Sequence, residues 1–341
     1  MRFDDGITAA VRAGRGPDPR AIRDVVDTAA ERLGERGVAR AEHRLRADLA
    51  GLGPLAEVAR LPGVTDILVN GDGLTWADRG RGLERIPVHD FASAEEVRRL
   101  AVRLAGVAGR RLDDAQPYVD GLLPGAVRLH AILPPLSAGG TCLSLRMLRT
   151  EAVHLSDLER VDMCTPAQGE RLRRMVAERD AFVVTGGTGA GKTTLLAALL
   201  AEIDPSERIL VVEDVLEIPV HSGHVVRLQA RPPNVEGHGQ ITLVDLVRQA
   251  LRMRPDRLVV GEVRGPEVRE LLQALNTGHE GGCATLHANK PADVPARLEA
   301  LGALAGMSPQ AVRAQVATAL KTVVHVARTP LGRRVTSIED L

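Results

Sequence analysis

The sequence predicts an α/β protein of two domains, the larger built on a mostly parallel sheet, and three observations carry that expectation. From residue 167 onward, continuous apolar runs of strand length alternate with amphipathic stretches, the pattern of a parallel sheet covered by helices on both faces. A glycine-rich segment stands between one of these runs and the helix that follows it. Residues 51–150 instead carry short runs separated by turn signals and one amphipathic helix, which reads as a smaller, separate α/β domain. The 341 residues are enough to fill two cores.

Taken in order, residues 1–50 are expected to form a short helical N-terminal segment. Ile22, Val25, Val26, Ala29 and Leu33 recur near helical spacing, after Pro17 and Pro19. In the N-terminal α/β domain, residues 63–71 read as a strand entering an Asn70-Gly71 turn. Residues 74–86 give two short strands about a Gly-rich turn. Residues 93–109 give an amphipathic helix with Ser93 and Glu96 at capping-box spacing. Further strands are expected within 125–136 and 142–148. Residues 151–166 are expected to be a linker ending at Thr165-Pro166, a helix cap followed by proline at the first helical position. The larger domain, 167–341, is expected to run as strand 181–187, helix from about 192 to 203, strand 208–214, helix 241–253, strand 257–263, helix 266–278 and strand 282–288. It ends in a hairpin about Pro330-Leu331-Gly332.

Composition narrows the function. The chain holds three Phe, one Tyr and one Trp, so its cores must be built from Leu, Val, Ile and Ala. Lys plus Arg and Asp plus Glu number 44 each, without the basic excess by which nucleic-acid binders neutralise phosphates; no direct nucleic-acid contact is expected. Cys142, Cys164 and Cys283 are widely spaced, which supports neither a zinc ribbon nor a disulfide framework. Neither a signal peptide nor an apolar run of membrane-spanning length is evident. A cytoplasmic protein with only peripheral membrane contact is therefore expected.

The chemistry centres on Gly186, Gly187, Thr188, Gly189, Ala190, Gly191, Lys192 and Thr193, followed by Thr194. They fit G-x-x-x-x-G-K-[ST], the phosphate-binding loop, in its required context of strand, loop and helix. Glycines let successive N–H groups curl toward phosphate oxygens, and the helix N-terminus adds positive potential. Lys192 would bridge the outer phosphates and Thr193 would ligate Mg²⁺, so ATP with Mg²⁺ is expected. Hydrolysis needs carboxylates at the carboxyl ends of neighbouring strands. Glu213 and Asp214 end one apolar run and Glu262 ends another. Each alone could be a solvated strand-end acid; together, beside this loop, they are the catalytic candidates, with Glu213 and Glu262 also candidate metal ligands. His279 and His287 bracket the 282–288 strand and are either structural or sensors of the terminal phosphate.

These motifs resemble, in order, those of the ATPases of type II and type IV secretion and type IV pilus motors. The Walker A loop is 186–193. An acidic box spans 208–217. An atypical Walker B spans 258–262, ending in Gly261-Glu262 and followed by Val263-Arg264-Gly265. A histidine box spans 277–289. Residues 230–242 and 246–265, with 64–71, 109–136 and 143–147, are similar to the TadA/CpaF branch, which drives Flp (tight-adherence) pilus assembly. The resemblance implies a RecA-like P-loop NTPase core behind a PAS-like N-terminal domain. It also implies a homo-hexamer docking on inner-membrane platform proteins, with each nucleotide between the two domains. Arg128, Arg146 and Arg111 then become candidate phosphate contacts, suited by their planar forks, or else ordinary surface arginines. A same-superfamily ATPase of a conjugation or type IV secretion channel would share this chemistry. A RecA-like nucleic-acid translocase is disfavoured by neutral charge and few stacking aromatics.

Overall fold

The computed structural model describes residues 51–341 except 81, 88, 89, 149–152, 221, 235, 236 and 279. The expected helical segment 1–50 and His279 lie outside the described residues. Two compact units divide between Arg149 and Thr150.

The first unit is a six-stranded antiparallel sheet in the order β3-β2-β1-β6-β5-β4. Its strands are β1 (Asp66–Val69), β2 (Thr75–Asp78), β3 (Leu83–Arg85), β4 (Tyr118–Leu123), β5 (Val127–Ile132) and β6 (Cys142–Met147). Buried and part-exposed positions alternate, as along β5, so one face is core and the other open. The core face packs with the helix Ala94–Val107, which buries Val97, Leu100, Ala101, Leu104 and Ala105. Ser93 caps that helix by accepting from the Glu96 amide at 3.3 Å, while the Glu96 carboxylate reaches the Ala92 amide at 3.1 Å. The reciprocal bond thus falls one residue earlier than the spacing alone implies. The Asn70-Gly71 turn is also larger than expected. The Gly73 amide donates to the Asn70 carbonyl at 2.9 Å, and Gly73, at φ +81°, holds the left-handed position. Strand β4 was not expected. Gly121 interrupts its pattern because a Cβ there would lie 2.8 Å from the Ala108 Cβ at the helix end.

The second unit is a seven-stranded sheet in the order β13-β12-β7-β11-β10-β8-β9. Its strands are β7 (Phe182–Thr185), β8 (Ile209–Glu213), β9 (Val225–Gln229), β10 (Arg257–Val263), β11 (Cys283–Leu286), β12 (Thr322–Thr329) and β13 (Gly332–Asp340). All pairings are parallel except β12 with β13. Every residue of β7, β8 and β11 is buried, as a sheet covered on both faces requires. One face packs on Leu243–Ala250, Glu267–Leu275, Val294–Leu304 and Pro309–Ala319. The other packs on Leu155–Arg160, Pro166–Ala177 and Lys192–Leu200.

Within 151–166, read from sequence as connecting chain, Leu155–Arg160 is helical and Leu155, Leu158, Met163 and Cys164 sit in this unit's core. Thr165 caps the next helix, its hydroxyl accepting from the Gln168 amide at 3.2 Å and the Gln168 side chain answering at 2.9 Å. The expected helix 241–253 starts later, because Ile241 pairs with Arg231 as an isolated bridge and Thr242 is the cap. At the amino ends of the strands, Arg257 is fully buried. Its guanidinium donates to both Glu207 oxygens at 2.8 and 3.1 Å and to the Val176 carbonyl at 2.9 Å. All three cysteines are free thiols, and burial pushes the Cys283 thiol up to about 12. No helix among the described residues is long and apolar enough to cross a membrane.

Candidate functional site

The glycine-rich loop leaves the carboxyl end of β7 and enters Lys192–Leu200. Its first glycine is dictated by close backbone approach: at φ +151°, a Cβ on Gly186 would lie 2.2 Å from the Val326 carbonyl oxygen of β12. Gly191 caps the helix at φ +105°, and a Cβ there would press on Met163 Cε at 3.0 Å. The Lys192 ammonium donates back to the carbonyls of Gly186 and Gly187 at 3.0 and 3.1 Å. Burial pushes its pKa below the ordinary lysine value; the charge of Glu262 opposes that shift and Arg264 adds to it. Thr188 and Gly189 are exposed, Ala190 is buried, and Gly187, Thr193 and Thr194 are half-buried.

Glu262 is aimed by a bulge. Val260 pairs with Ala284 but Val263 pairs with Leu286, so β10 carries one extra residue, and Gly261 and Glu262 together oppose Thr285. The Thr285 hydroxyl fastens the bulge by donating to the Gly261 carbonyl at 2.6 Å. Bulges of this kind re-aim side chains beside active sites. The Glu262 carboxylate, 29% exposed, accepts from Arg264 Nε at 2.9 Å and from its Nη2. Arg264 is held in turn by its own backbone, since the Arg264 and Gly265 amides both donate to buried Glu267 at 2.7 and 2.8 Å. Burial works to lower the Arg264 pKa, but Glu262, Asp214 and Glu217 keep it above the ordinary value. Lys192, Glu262, Arg264, Asp214 and Glu217 thus form one electrostatic cluster.

Glu213 differs from its expected role. It is buried, 3% exposed, and its carboxylate is engaged on three sides. The amides of Glu217 and Ile218 each donate to one oxygen at 2.9 Å, and Arg227 donates to the other at 3.1 Å. Burial raises its pKa against the pull of these bonds. It enters beside β10 because Gly261 has no side chain; a Cβ there would lie 2.8 Å from Glu213 Cγ. Asp214, the next residue, is exposed. His287, directly after β11, is half-buried.

In the first unit, Arg128 and Arg146 are direct cross-strand partners on β5 and β6. Arg146 pairs with Asp66 at 2.9 Å and Arg128 with Asp120 at 3.6 Å. Arg111 is hydrogen-bonded to Asp113. Reading the sequence missed two groups in the second unit, Arg264 and a buried histidine on β12, His325. Each carried a signal: a guanidinium two residues beyond the candidate glutamate, and an imidazole inside an otherwise apolar buried strand, where a polar group needs a partner.

A cavity of about 710 Å³ is lined by Met163, Thr165, Thr329, Leu331, Arg334 and Thr336, with no residue of the glycine-rich loop in its wall. Its size lies in the range of small-molecule sites.

A parallel sheet covered on both faces, with this loop at the carboxyl end of β7 and acids at the ends of β8 and β10, defines a P-loop ATPase with a RecA-like core. Residues 48–333 match the family model described as type II/IV secretion system protein, and the chain belongs to that family. It is 54% identical over 296 residues to a candidate conjugal transfer protein of Mycobacterium tuberculosis, covering 85% of this chain and 84% of that one. It is 33% identical over 280 residues to the conjugal transfer protein TrbB of Rhizobium radiobacter, covering 81% and 83%. Among solved structures it is similar to the pilus retraction motor PilT with bound ADP, at TM-score 0.62 and 22% identity over 85% of this chain and 82% of that one. It is also similar to the Legionella pneumophila ATPase DotB, at TM-score 0.58 and 22% identity over 82% and 77%. These two likenesses show the fold.

Proposed function

We propose that this secretion-family ATPase hydrolyses ATP with Mg²⁺ as a homo-hexameric motor for Flp/Tad-type pilus assembly, on the cytoplasmic side of the inner membrane against platform proteins. The observation that carries the catalytic part is the β10 bulge, which puts the Glu262 carboxylate within charge reach of Lys192.

In this reading, the amides of residues 187–193 and the Lys192 ammonium hold the phosphates, Lys192 exchanging its two carbonyl partners for phosphate oxygens. The Thr193 hydroxyl and the carboxylates of Glu262 and Asp214 are hard oxygen donors suited to Mg²⁺ or its waters. Bound with the nucleotide, Mg²⁺ neutralises phosphate charge. Glu262 orients the attacking water and accepts its proton. Arg264, already on Glu262, orients that carboxylate and is a donor for charge developing on the terminal phosphate. Glu213 acts through its loop: its bonds to the Glu217 and Ile218 amides fix the 214–218 turn that presents Asp214 and Glu217, and Arg227 holds its other oxygen. The paired guanidiniums of Arg128 and Arg146 are suited to an anion, and His287, with the undescribed His279, to sensing the terminal phosphate.

The test is steady-state ATP hydrolysis against protein concentration, with Lys192→Ala as blank and with and without single-stranded DNA. A specific rate that rises with concentration, ignores DNA and vanishes in the blank supports an oligomeric secretion motor. A concentration-independent rate stimulated by DNA sinks it. A second reading, the ATPase of a conjugation channel, is favoured by the names of the relatives above. Deleting the gene separates the two: loss of surface fibres with DNA transfer intact supports the pilus motor, and the converse supports conjugation.

A further inference from the structure

His325 takes no part in the chemistry just described, yet it is 5% exposed in the core of the catalytic unit. It stands on β12 in register with Thr185, the residue that ends β7 and launches the phosphate loop. Nδ1 lies 2.8 Å from the Thr185 hydroxyl, which is itself fully buried. The imidazole also hydrogen-bonds the main chain of Asn289, two residues beyond His287, and β12 packs on the short turn Pro291–Asp293 that follows. A neutral imidazole has one acceptor and one donor nitrogen. Accepting from the Thr185 hydroxyl at Nδ1 and donating to the Asn289 carbonyl uses both. Opposite the step from His325 to Val326, β13 carries a bulge at Thr336, and the next carbonyl of β12, that of Val326, is the one against which Gly186 is pressed. The same two residues of β12 therefore hold the first glycine of the phosphate loop and the segment after β11.

We propose that His325 is a positioning residue for ATP hydrolysis, an imidazole strut that sets the distance between the base of the phosphate loop at Thr185 and the turn after β11 at Asn289. This rests on the hydrolytic reading above. The hydrogen bonds of His325 go to Thr185 and Asn289, so its effect falls on alignment during turnover rather than on nucleotide capture. Two segments that contact the same terminal phosphate must be spaced to a fraction of an ångström for the reaction to be well oriented. A single buried polar bridge between them is a direct way to fix that spacing.

The experiment measures kcat, KM and nucleotide affinity for wild type, His325→Leu, His325→Gln, Thr185→Val and the His325→Leu/Thr185→Val pair, with melting temperatures. His325→Leu is expected to lower kcat about tenfold, the worth of one hydrogen bond in the barrier, with KM and affinity held within about twofold. Thr185→Val, nearly isosteric at the other end of the bond, should match it whether or not His325→Leu folds. The pair should be no worse than either single variant, the signature of one shared interaction. His325→Gln, which keeps an acceptor and a donor, should recover most of kcat. Unchanged kcat in folded Thr185→Val overturns the proposal, as does a fall in affinity that tracks kcat or strict additivity in the pair. An inactive wild type would instead overturn the hydrolytic reading.

Discussion

The ends of β8 and β10 make the same offer in sequence, an acid after an apolar strand at the sheet edge beside the phosphate loop, yet they do opposite work. Glu213 stays in register, points into the packing and is consumed by two amides and a guanidinium of its own neighbourhood. Glu262 sits in a bulge, remains part-exposed and shares the field of Lys192. One extra residue in a strand separates a part-exposed carboxylate from a buried one held by its own neighbourhood. A strand-end acid is thus a candidate only until its side of the backbone is known.

The sharpest break of this contrast uses the common reference point of both ends: Lys192→Ala should reduce nucleotide-dependent hydrolysis to the protein-free background, because the charge that both phosphates and Glu262 answer to is gone. Next, Glu262→Gln should still bind ATP but turn over about a thousandfold more slowly, as loss of a general base does; normal hydrolysis would move the catalytic role elsewhere. Thr285→Val removes the hydroxyl that fastens the bulge. It should cost on the order of 1 kcal/mol in a denaturant melt and about fivefold in kcat, through Glu262 alone.

The smallest effect belongs to Glu213→Gln, read as a melting-temperature difference from wild type against pH. The folded-state pKa of Glu213 is raised above the ordinary 4.5, so the folded chain binds that proton more tightly than the unfolded one. Its contribution is fully present below the ordinary value and is lost as pH rises through the raised one. Wild type should therefore lose ground to the glutamine variant on going from acid to neutral pH. A difference that grows in wild type's favour would mean that Arg227 outweighs burial.

How much could be read in advance follows the same physics. Strands β7, β8, β10 and β11 were legible because a strand buried on both faces must be apolar throughout, and the loop because its glycines and lysine answer to fixed geometry. Strand β9, at the sheet edge and only part-buried, had no such constraint and was missed. So were Val294–Leu304 and Pro309–Ala319, whose alanines and glycine blur the contrast between faces. The segment 155–164 looked like connecting chain because a six-residue helix has too few turns to show a period. Within the site, the loop between β7 and Lys192–Leu200 and the acids that end β8 and β10 were legible as positions in the fold. The Arg227 bond to Glu213, the adjacency of Arg128 and Arg146 and the bridge at His325 depend on register between strands, which no local pattern records; the grip of Arg264 on Glu262 is local and was overlooked.

The buried Arg257–Glu207 pair lies at the amino ends of the strands, away from all of this. Opening it would strand two charges without water, so that end of the sheet yields last. The opposite end is built from glycine turns and part-exposed side chains, the kind of structure that loosens first. The catalytic unit is therefore footed at one margin and compliant at the other.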